Sequence, residues 1–212
     1  RILLDDGSVA VLSDNYYCDT MRVNNGHIVI KGQNKDFIEP GNWLKVGSFD
    51  DFKTGKEVTI DFDEMSSIRA YGISADGQVL YVCFSENFEN DSVLVKIDME
   101  TREQREIYRV PGVTQGEDAF YTCNARGVYE KDGWIYFMYS YGIVTKFDRL
   151  SPDGTVVDQA ILGKPVMDIE LTQDDRMYIL TGPDDRRFSY YPTAVYQMDW
   201  PPREAIEDSN GQ

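Results

Sequence analysis

The chain has 212 residues, 42% hydrophobic and 13% aromatic, which is material for one large or two small packed domains and argues against disorder. Its 37 acids against 21 lysines and arginines give a formal charge of −16 and a pI near 4.4, which opposes any groove built to follow phosphates and excludes nucleic acid as an expected partner. No apolar run approaches the roughly 18 residues of a membrane span. Arg1 opens in strand-like sequence without the basic and apolar regions of a signal peptide, so the chain reads as soluble, either a mature product or an excised piece.

In chain order, RILLDDGSVAVLSD comes first, a strand, a turn at Asp6-Gly7 and a second strand. Four related segments follow: TMRVNNGHIVIKG from Thr20, AYGISADGQVLYVCFS from Ala70, ARGVYEKDGWIYFMYS from Ala125 and DIELTQDDRMYILTG from Asp168, spaced about 45 to 55 residues apart. Each has an apolar residue ahead of the turn (Val23, Ile73, Val128, Leu171), then Asn, Asp or Gly suited to positive φ, then a β-branched or aromatic run. That order predicts hairpins.

Third and fourth strands recur behind them, as NWLKVGSFD with EVTIDF, SVLVKIDMET with REQREIYRV, and GIVTKFDRLSPDGT with VVDQAIL. The fourth copy has TAVYQMDW and no convincing fourth strand before its polar end, PPREAIEDSNGQ. Asn124 to Leu162 is the most regular copy, with turns at Lys131-Asp132-Gly133 and Pro152-Asp153-Gly154. The N-terminal pair around Asp6-Gly7 has the shape of third and fourth strands, so the chain begins in mid-repeat.

Four-stranded antiparallel units at this period resemble the blades of β-propellers, in the broad group that includes NHL, TolB-like and YWTD propellers. ADGQVLYV and KDGWIYF are similar to their second strands, and SVLVKIDMET to their third. The resemblance covers nearly the whole chain but lacks a YWTD tetrad, a GH…WD signature and a kelch glycine pair. It implies an all-β fold, one propeller domain over 1–212 with blades near 16–62, 66–110, 119–162 and 165–200. Residues 1–13 would supply a closing strand or the remnant of a preceding blade. The expected form is a closed four-bladed ring, with a piece of a six- to eight-bladed propeller as the alternative. It assigns no catalytic residues.

In such a blade the second-to-third connection and the connection to the next blade open on one face. KGQNKDFIEPGN, SENFEND, TGPDDRRFSYYPT and VPGVTQGEDAFYT are the long ones and all belong to that face, whereas the first-to-second turns and most third-to-fourth turns (MET, SPDG) are tight. Long connections on a rigid scaffold concentrate function. They and their borders carry Phe37, Trp43, Phe88, Phe120, Tyr121, Tyr141, Phe188, Tyr190 and Tyr191 with Arg186, Arg187 and Glu117. Tyr, Trp and Arg offer large contact area with polar tips, the profile of binding hot spots. Taken singly, any of these aromatics more commonly plugs a gap between blades. PDDRRFSYYP exceeds what a connection needs structurally.

The inner strands are a second candidate. Aligned on the apolar anchors, one slot reads Cys18, Ile68, Cys123, Val166, so Cys18 and Cys123 would face each other across a four-bladed ring, as buried small hydrophobes, free thiols or a disulfide. Asp19, Arg22, Arg69, Asn124, Arg126, Asp168 and Glu170 would line the channel or pair between blades. Cys18, Cys83 and Cys123 show no CxxC spacing and His27 is the sole histidine, which leaves little for a zinc site or a His-dependent triad. The acidic pairs Asp5-Asp6, Asp50-Asp51, Asp174-Asp175 and Asp184-Asp185 fit no EF-hand pattern. Turn chemistry accounts for most of them, and neither calcium nor another cofactor is supported by a motif. Asn90-Asp91-Ser92 is a glycosylation sequon on an expected exposed connection.

The expectation is a non-catalytic module that binds a protein or glycan through the long-connection face, in an extracytoplasmic or secreted setting, with a cytoplasmic one left open, as part of a larger multidomain chain. One alternative is a hydrolase or lyase at the central channel with Asp168, Glu170 and Arg126 as acid, base and charge stabiliser. The other is a scaffold domain.

Overall fold

The computed structural model describes residues 2–3, 9–10, 16–24, 26–34, 43–62, 67–85, 91–112, 123–141, 144–162, 166–171, 176–181 and 194–199. The strands are β1 (Ile2–Leu3), β2 (Val9–Ala10), β3 (Tyr16–Asn24), β4 (His27–Asn34), β5 (Trp43–Ser48), β6 (Val58–Asp61), β7 (Ser67–Ile73), β8 (Val79–Ser85) and β9 (Ser92–Asp98). They continue with β10 (Gln104–Val110), β11 (Cys123–Lys131), β12 (Trp134–Tyr141), β13 (Val144–Leu150), β14 (Val156–Leu162), β15 (Val166–Leu171), β16 (Arg176–Thr181) and β17 (Ala194–Asp199). Helix α1 (Phe49–Thr54) lies between β5 and β6.

The strands form successive antiparallel meanders, β3 to β6, β7 to β10, β11 to β14 and β15 to β17, with three strands in the fourth blade among the described residues. β1 and β2 pair as a hairpin, Ile2 opposite Ala10 and Leu3 opposite Val9, in a two-stranded sheet of their own. This is the propeller architecture expected from the repeat.

Blade stacks on blade through alternate faces of each sheet, as period-2 strands require. Val29, Leu44 and Val46 of the first blade pack with Tyr71, Ile73, Leu80 and Val82 of the second. The opposite face of the second blade, with Tyr81, Cys83 and Leu94, meets Val128, Ile135, Phe137 and Leu150 of the third. The third blade in turn presents Tyr129, Tyr136, Met138 and Phe147 to Val166, Ile169, Met177 and Ile179 of the fourth. Hence most strands are apolar on both sides, and the burial of such rings supplies about 1.5–3 kcal/mol per large side chain.

The leading face of the first blade is different. α1 folds over its outer half, burying Phe52 against Ile28, Ile30 and Trp43. The helix follows from sequence that the strand rhythm conceals: Ser48 caps it, with Asp51 N–H donating to Ser48 Oγ at 3.2 Å and the Ser48 N–H donating to Asp51 Oδ2 at 2.8 Å. Gly55 ends it in the left-handed region at φ 69°. The acidic pair Asp50-Asp51 thus forms the first turn of a helix, and this third-to-fourth connection, unlike MET and SPDG, is an inserted α-helix. Over the inner half, Met21 is 42% and Val23 55% exposed, although their counterparts Tyr71 and Ile73 in the second blade are 7% and 0%.

Each inner strand carries a β-bulge at the same register. The extra residue is Asp19 between the pairs Cys18–Gly32 and Thr20–Lys31, Arg69 between Ile68–Phe84 and Ala70–Cys83, Arg126 between Ala125–Tyr139 and Gly127–Met138, and Met167 between Val166–Thr181 and Asp168–Leu180. Aligned on these bulges, Val23, Ile73 and Leu171 share their level with Glu130, and Cys18, Ile68 and Val166 share theirs with Ala125. The alignment of the third repeat on Val128 is therefore two residues out. Cys123 does not occupy the slot of Cys18, because Val128 lies two residues further from its hairpin turn than Val23 does, the last pairs being Asn24–His27 and Lys131–Trp134.

Candidate functional site

Strand register gives the sheet ends from which the long connections depart. Residues 35–42, 86–90 and 182–193 join second to third strands, and 111–122 joins β10 to β11; all leave from the sheet ends marked by the pairs Gly32–Trp43, Ser85–Ser92, Thr181–Ala194 and Val110–Ser92. The opposite ends carry α1 in the first blade and, in the second and third, short turns closed by their own side chains. Asp76 Oδ1 accepts from the Gln78 N–H at 3.0 Å, Asp98 Oδ1 accepts from the Thr101 N–H at 2.7 Å, and the Ser151 and Asp153 side chains bond each other. Hydrogen bonds to these turns hold the Asp76, Asp98 and Asp153 carboxyls below the ordinary carboxylate value.

Two long connections are tied at their roots. Asp91, which follows 86–90, accepts from the Gly112 N–H at 2.7 Å and from Arg109 Nη1 at 3.4 Å. Arg109 also binds Glu106 at 2.8 Å, and that hydrogen bond holds the Glu106 carboxyl low. Ser92, third residue of the sequon, is 0% exposed inside the sheet, while Asn90 lies outside the described residues.

Of the aromatic and arginine set expected on this face, Phe37, Phe88, Phe120, Tyr121, Arg186, Arg187, Phe188, Tyr190 and Tyr191 lie outside the described residues. Tyr141 is the last residue of β12, paired with Cys123 and Val144 at the same sheet end. Trp43 is described with its surroundings. It is the first residue of β5, 6% exposed and packed with Ile28, Ile30 and Phe52, so its indole serves the first blade's core.

At the axis, the inner strands are joined in series. Thr20 Oγ1 lies 2.8 Å from Tyr71 Oη, and Tyr129 Oη donates to the Ile169 carbonyl at 3.2 Å. Between them, Gly72 stands so close to the third blade that an added Cβ would be 2.1 Å from the Val128 carbonyl oxygen. Arg22 Nη1 donates to the same Ile169 carbonyl at 2.9 Å, linking the first blade to the fourth. Arg126 Nε donates to Ser140 Oγ at 3.2 Å.

Asp168 and Glu170, expected in the channel beside Arg126, pair with Leu180 and Tyr178. By the bulge alignment they share the levels of Ala70 and Gly72, positions that in the second blade belong to the seam with the next blade. Register gives them a seam position, and their side chains are outside the described set.

A polar cluster that the sequence did not single out sits between the second and third blades. Asp148, 1% exposed, accepts from Tyr108 Oη at 2.7 Å and from Gln159 Nε2 at 2.5 Å, and Gln159 Nε2 is 3.4 Å from Tyr139 Oη. Burial, then the charge of Asp148, pushes the Tyr139 hydroxyl far above the ordinary tyrosine value. The Lys-hydrophobic-Asp pattern of the third strands would make Asp148 the counterpart of Asp98. Register makes it the counterpart of Val95, since Phe137 pairs with Asp148 where Val82 pairs with Val95. Its only sequence signal is a charge at an inward strand position.

No protein-family model and no curated protein matches the chain. Among solved structures it is similar to the β-propeller domain of the Trilobed protease from Pyrococcus furiosus, described as having an open velcro topology, at 12% identity over 87% of this chain and 54% of that one, with a TM-score of 0.51. It is also similar to a gluconolactonase from Xanthomonas campestris, at 16% identity over 84% and 60% of the two chains and a TM-score of 0.50. A chain of a nidogen/laminin complex aligns at 15% identity, 78% and 54% coverage and a TM-score of 0.49. The chain therefore spans between 54% and 60% of the length of these structures, and at such identities the likeness to the protease domain and the gluconolactonase establishes the fold alone. Blade meander, repeated bulge and structural neighbours agree that this is a β-propeller chain.

Proposed function

We propose that the chain is a non-catalytic recognition module that engages a protein or a glycan through the sheet end bearing the long connections. The observation that carries this reading is the asymmetry of the two ends: self-bonded hairpin turns and the α1 connection on one, and on the other the connections 35–42, 86–90, 111–122 and 182–193. Rigid blades below and variable segments above are the division of labour that binding surfaces use. The composition of those segments, with Arg186, Arg187, Phe188, Tyr190 and Tyr191 in one of them, supplies aromatic and guanidinium contacts. A setting outside the cytoplasm and within a larger chain belongs to the same proposal.

A catalytic role for Asp168, Glu170 and Arg126 has weaker support, because the register of both acids matches seam positions of the second blade. The test is capture on a glycan array and on immobilised protein fractions, comparing the parent with a variant carrying Arg186→Ala, Arg187→Ala, Tyr190→Ala and Tyr191→Ala together. Loss of capture with an unchanged unfolding temperature is the expected result. Capture by the variant at the parent's level overturns the proposal.

A further inference from the structure

The outermost strand of a blade ends the ladder and offers a row of backbone N–H and C=O groups to any strand that can lie beside it. Folded chains ordinarily blunt such edges with charge. β6, β10 and β14 hold that position in the three blades described with four strands. β6 exposes Thr59 and Asp61, and β10 exposes Gln104, Arg105, Glu106 and Arg109. β14 differs. It exposes Val156, Val157 and Ile161 at 42%, 46% and 43%. Its sole charged residue, Asp158, is paired with Arg149 of β13, whose guanidinium also lies over the Trp134 ring at 5.1 Å. Among the described residues, the backbone of 156–162 makes no hydrogen bond beyond the ladder with β13.

At a net charge of −16, two copies of the chain repel over most of their surface and approach most easily where charge is locally cancelled. β14 meets that condition and is complementary to itself. Val157 is the extra residue of a bulge, between Asp158 opposite Arg149 and Val156 opposite Leu150, so the regular run is 158–162. Turned antiparallel about Gln159 or Ala160, this run sets Asp158 beside Ala160 or Leu162 of the partner subunit. Ile161 then lies beside Val157 or Gln159 of the partner subunit, and no like charges meet. β10 turned about its middle residue, Ile107, would instead set Arg105 against Arg109 of the partner subunit. With Asp158 neutralised inside its own blade, β14 has no net charge to draw a partner of opposite sign, which favours a second copy as the occupant.

We propose that the β14 edge is a homodimer interface, in which the β14 strands of two copies pair antiparallel across a two-fold axis and join two third blades into one continuous sheet. Antiparallel pairing points the sheet ends that bear the long connections in opposite directions.

The experiment is sedimentation velocity of the chain from about 1 μM to about 1 mM, where a reversible monomer–dimer equilibrium is expected. Val157→Lys and Ile161→Lys each place a charge on the edge, and each change occurs twice in a symmetric dimer. Either should raise the dissociation constant roughly tenfold. At dilutions where parent and variants are monomeric, their unfolding temperatures should agree. Thr59→Lys, on the exposed edge of β6, should dimerise as the parent does. Hydrogen exchange gives a readout that needs no substitution: the amides of 158–162 should exchange more slowly at high concentration than at low, and those of 104–110 equally at both. A chain that stays monomeric at about 1 mM, a dissociation constant unchanged by both lysine substitutions, or exchange over 158–162 that ignores concentration overturns the proposal.

Discussion

Tyr108, on the outermost strand of the second blade, donates its hydroxyl to Asp148 Oδ2 in the third at 2.7 Å. This bond crosses a seam lined mainly by apolar side chains, among them Val110, Ile135, Phe137 and Leu150. A carboxylate 1% exposed is tolerable there because Tyr108 and Gln159 both donate to it. Removing one donor should cost more than the average hydrogen bond. Tyr108→Phe is expected to lower stability by about 1–3 kcal/mol in urea unfolding. Asp148→Ala should cost more, about 3–5 kcal/mol, by leaving Gln159 and the tyrosine hydroxyls without their acceptor. Asp148→Val with Tyr108→Phe restores the Val95-like arrangement of the second blade and should recover a fraction of that loss. No recovery in the double variant would mean that the cluster does more than satisfy itself.

The inner-strand seam makes a sharper steric prediction. At Gly72 a Cβ would meet the Val128 carbonyl oxygen at 2.1 Å, and backbone cannot rotate aside as a side chain does. Gly133, in a hairpin turn at φ 77°, has nothing within 4 Å of its Cβ position. Gly133→Ala therefore costs only the left-handed conformation, about 1–2 kcal/mol. Gly72→Ala must push β7 and β11 apart and should cost about 3 kcal/mol or more, with a fall in cooperativity of unfolding. Equal costs at the two positions would contradict the close approach of the second and third blades.

How far the chain disclosed this fold depends on which feature repeats. Hairpin turns were legible because Asn25-Gly26, Asp76-Gly77 and Asp132-Gly133 are chemically restricted, and they gave the blade order. They did not give the register. Turn length varies, with Asn24 opposite His27 in the first blade but Ile73 opposite Leu80 in the second, whereas packing against the next blade fixes the bulge. A bulge has no residue signature: Asp19, Arg69, Arg126 and Met167 share nothing chemically. The same indifference hid Asp148, which takes its meaning from Tyr108, 40 residues away. α1 was legible in principle through the Ser48 to Asp51 capping box, but a six-residue helix is too short to show a helical period between two strands. For the candidate site, the loop composition was readable, whereas the burial of Trp43 was not, because a residue beside a long connection can equally begin a buried strand.

The first blade's leading face predicts a contrast between equivalent residues. Val23 and Ile73 occupy the same level of their inner strands, with exposures of 55% and 0%. Ile73→Ala opens a cavity in the seam between first and second blades and should cost about 2–5 kcal/mol. Val23→Ala removes apolar surface already in water and should cost less than about 0.5 kcal/mol in the same urea titration. A large cost at Val23 would show that this face is covered in solution.

The pH dependence has two limbs with opposite origins. Burial, reinforced by Glu130 and Asp76, raises the Tyr81 hydroxyl from 10.0 to about 12. Tyrosine is neutral when protonated, so its raised folded value contributes stability that is whole below pH 10 and declines as pH rises from 10 toward 12, because only the unfolded chain ionises readily there. The loss is on the order of 2 kcal/mol at the upper end, from about 1.4 kcal/mol per pH unit. Tyr81→Phe should flatten that alkaline limb while lowering stability little at neutral pH. The turn carboxylates act in reverse: Asp76, Asp98 and Asp153 are held below 3.8 by hydrogen bonds from their own turns, so their contribution is present above that value and is lost as pH falls through the lowered one. Asp98→Asn, which keeps an acceptor oxygen for the Thr101 N–H but cannot titrate, should make the acid limb shallower, leaving the share of Asp76 and Asp153, and leave the alkaline limb unchanged. Unfolding midpoints measured from pH 2 to pH 12 on the parent and the two variants separate the effects, and an alkaline limb that survives Tyr81→Phe at full slope would assign it to Tyr139 instead, whose hydroxyl burial also raises.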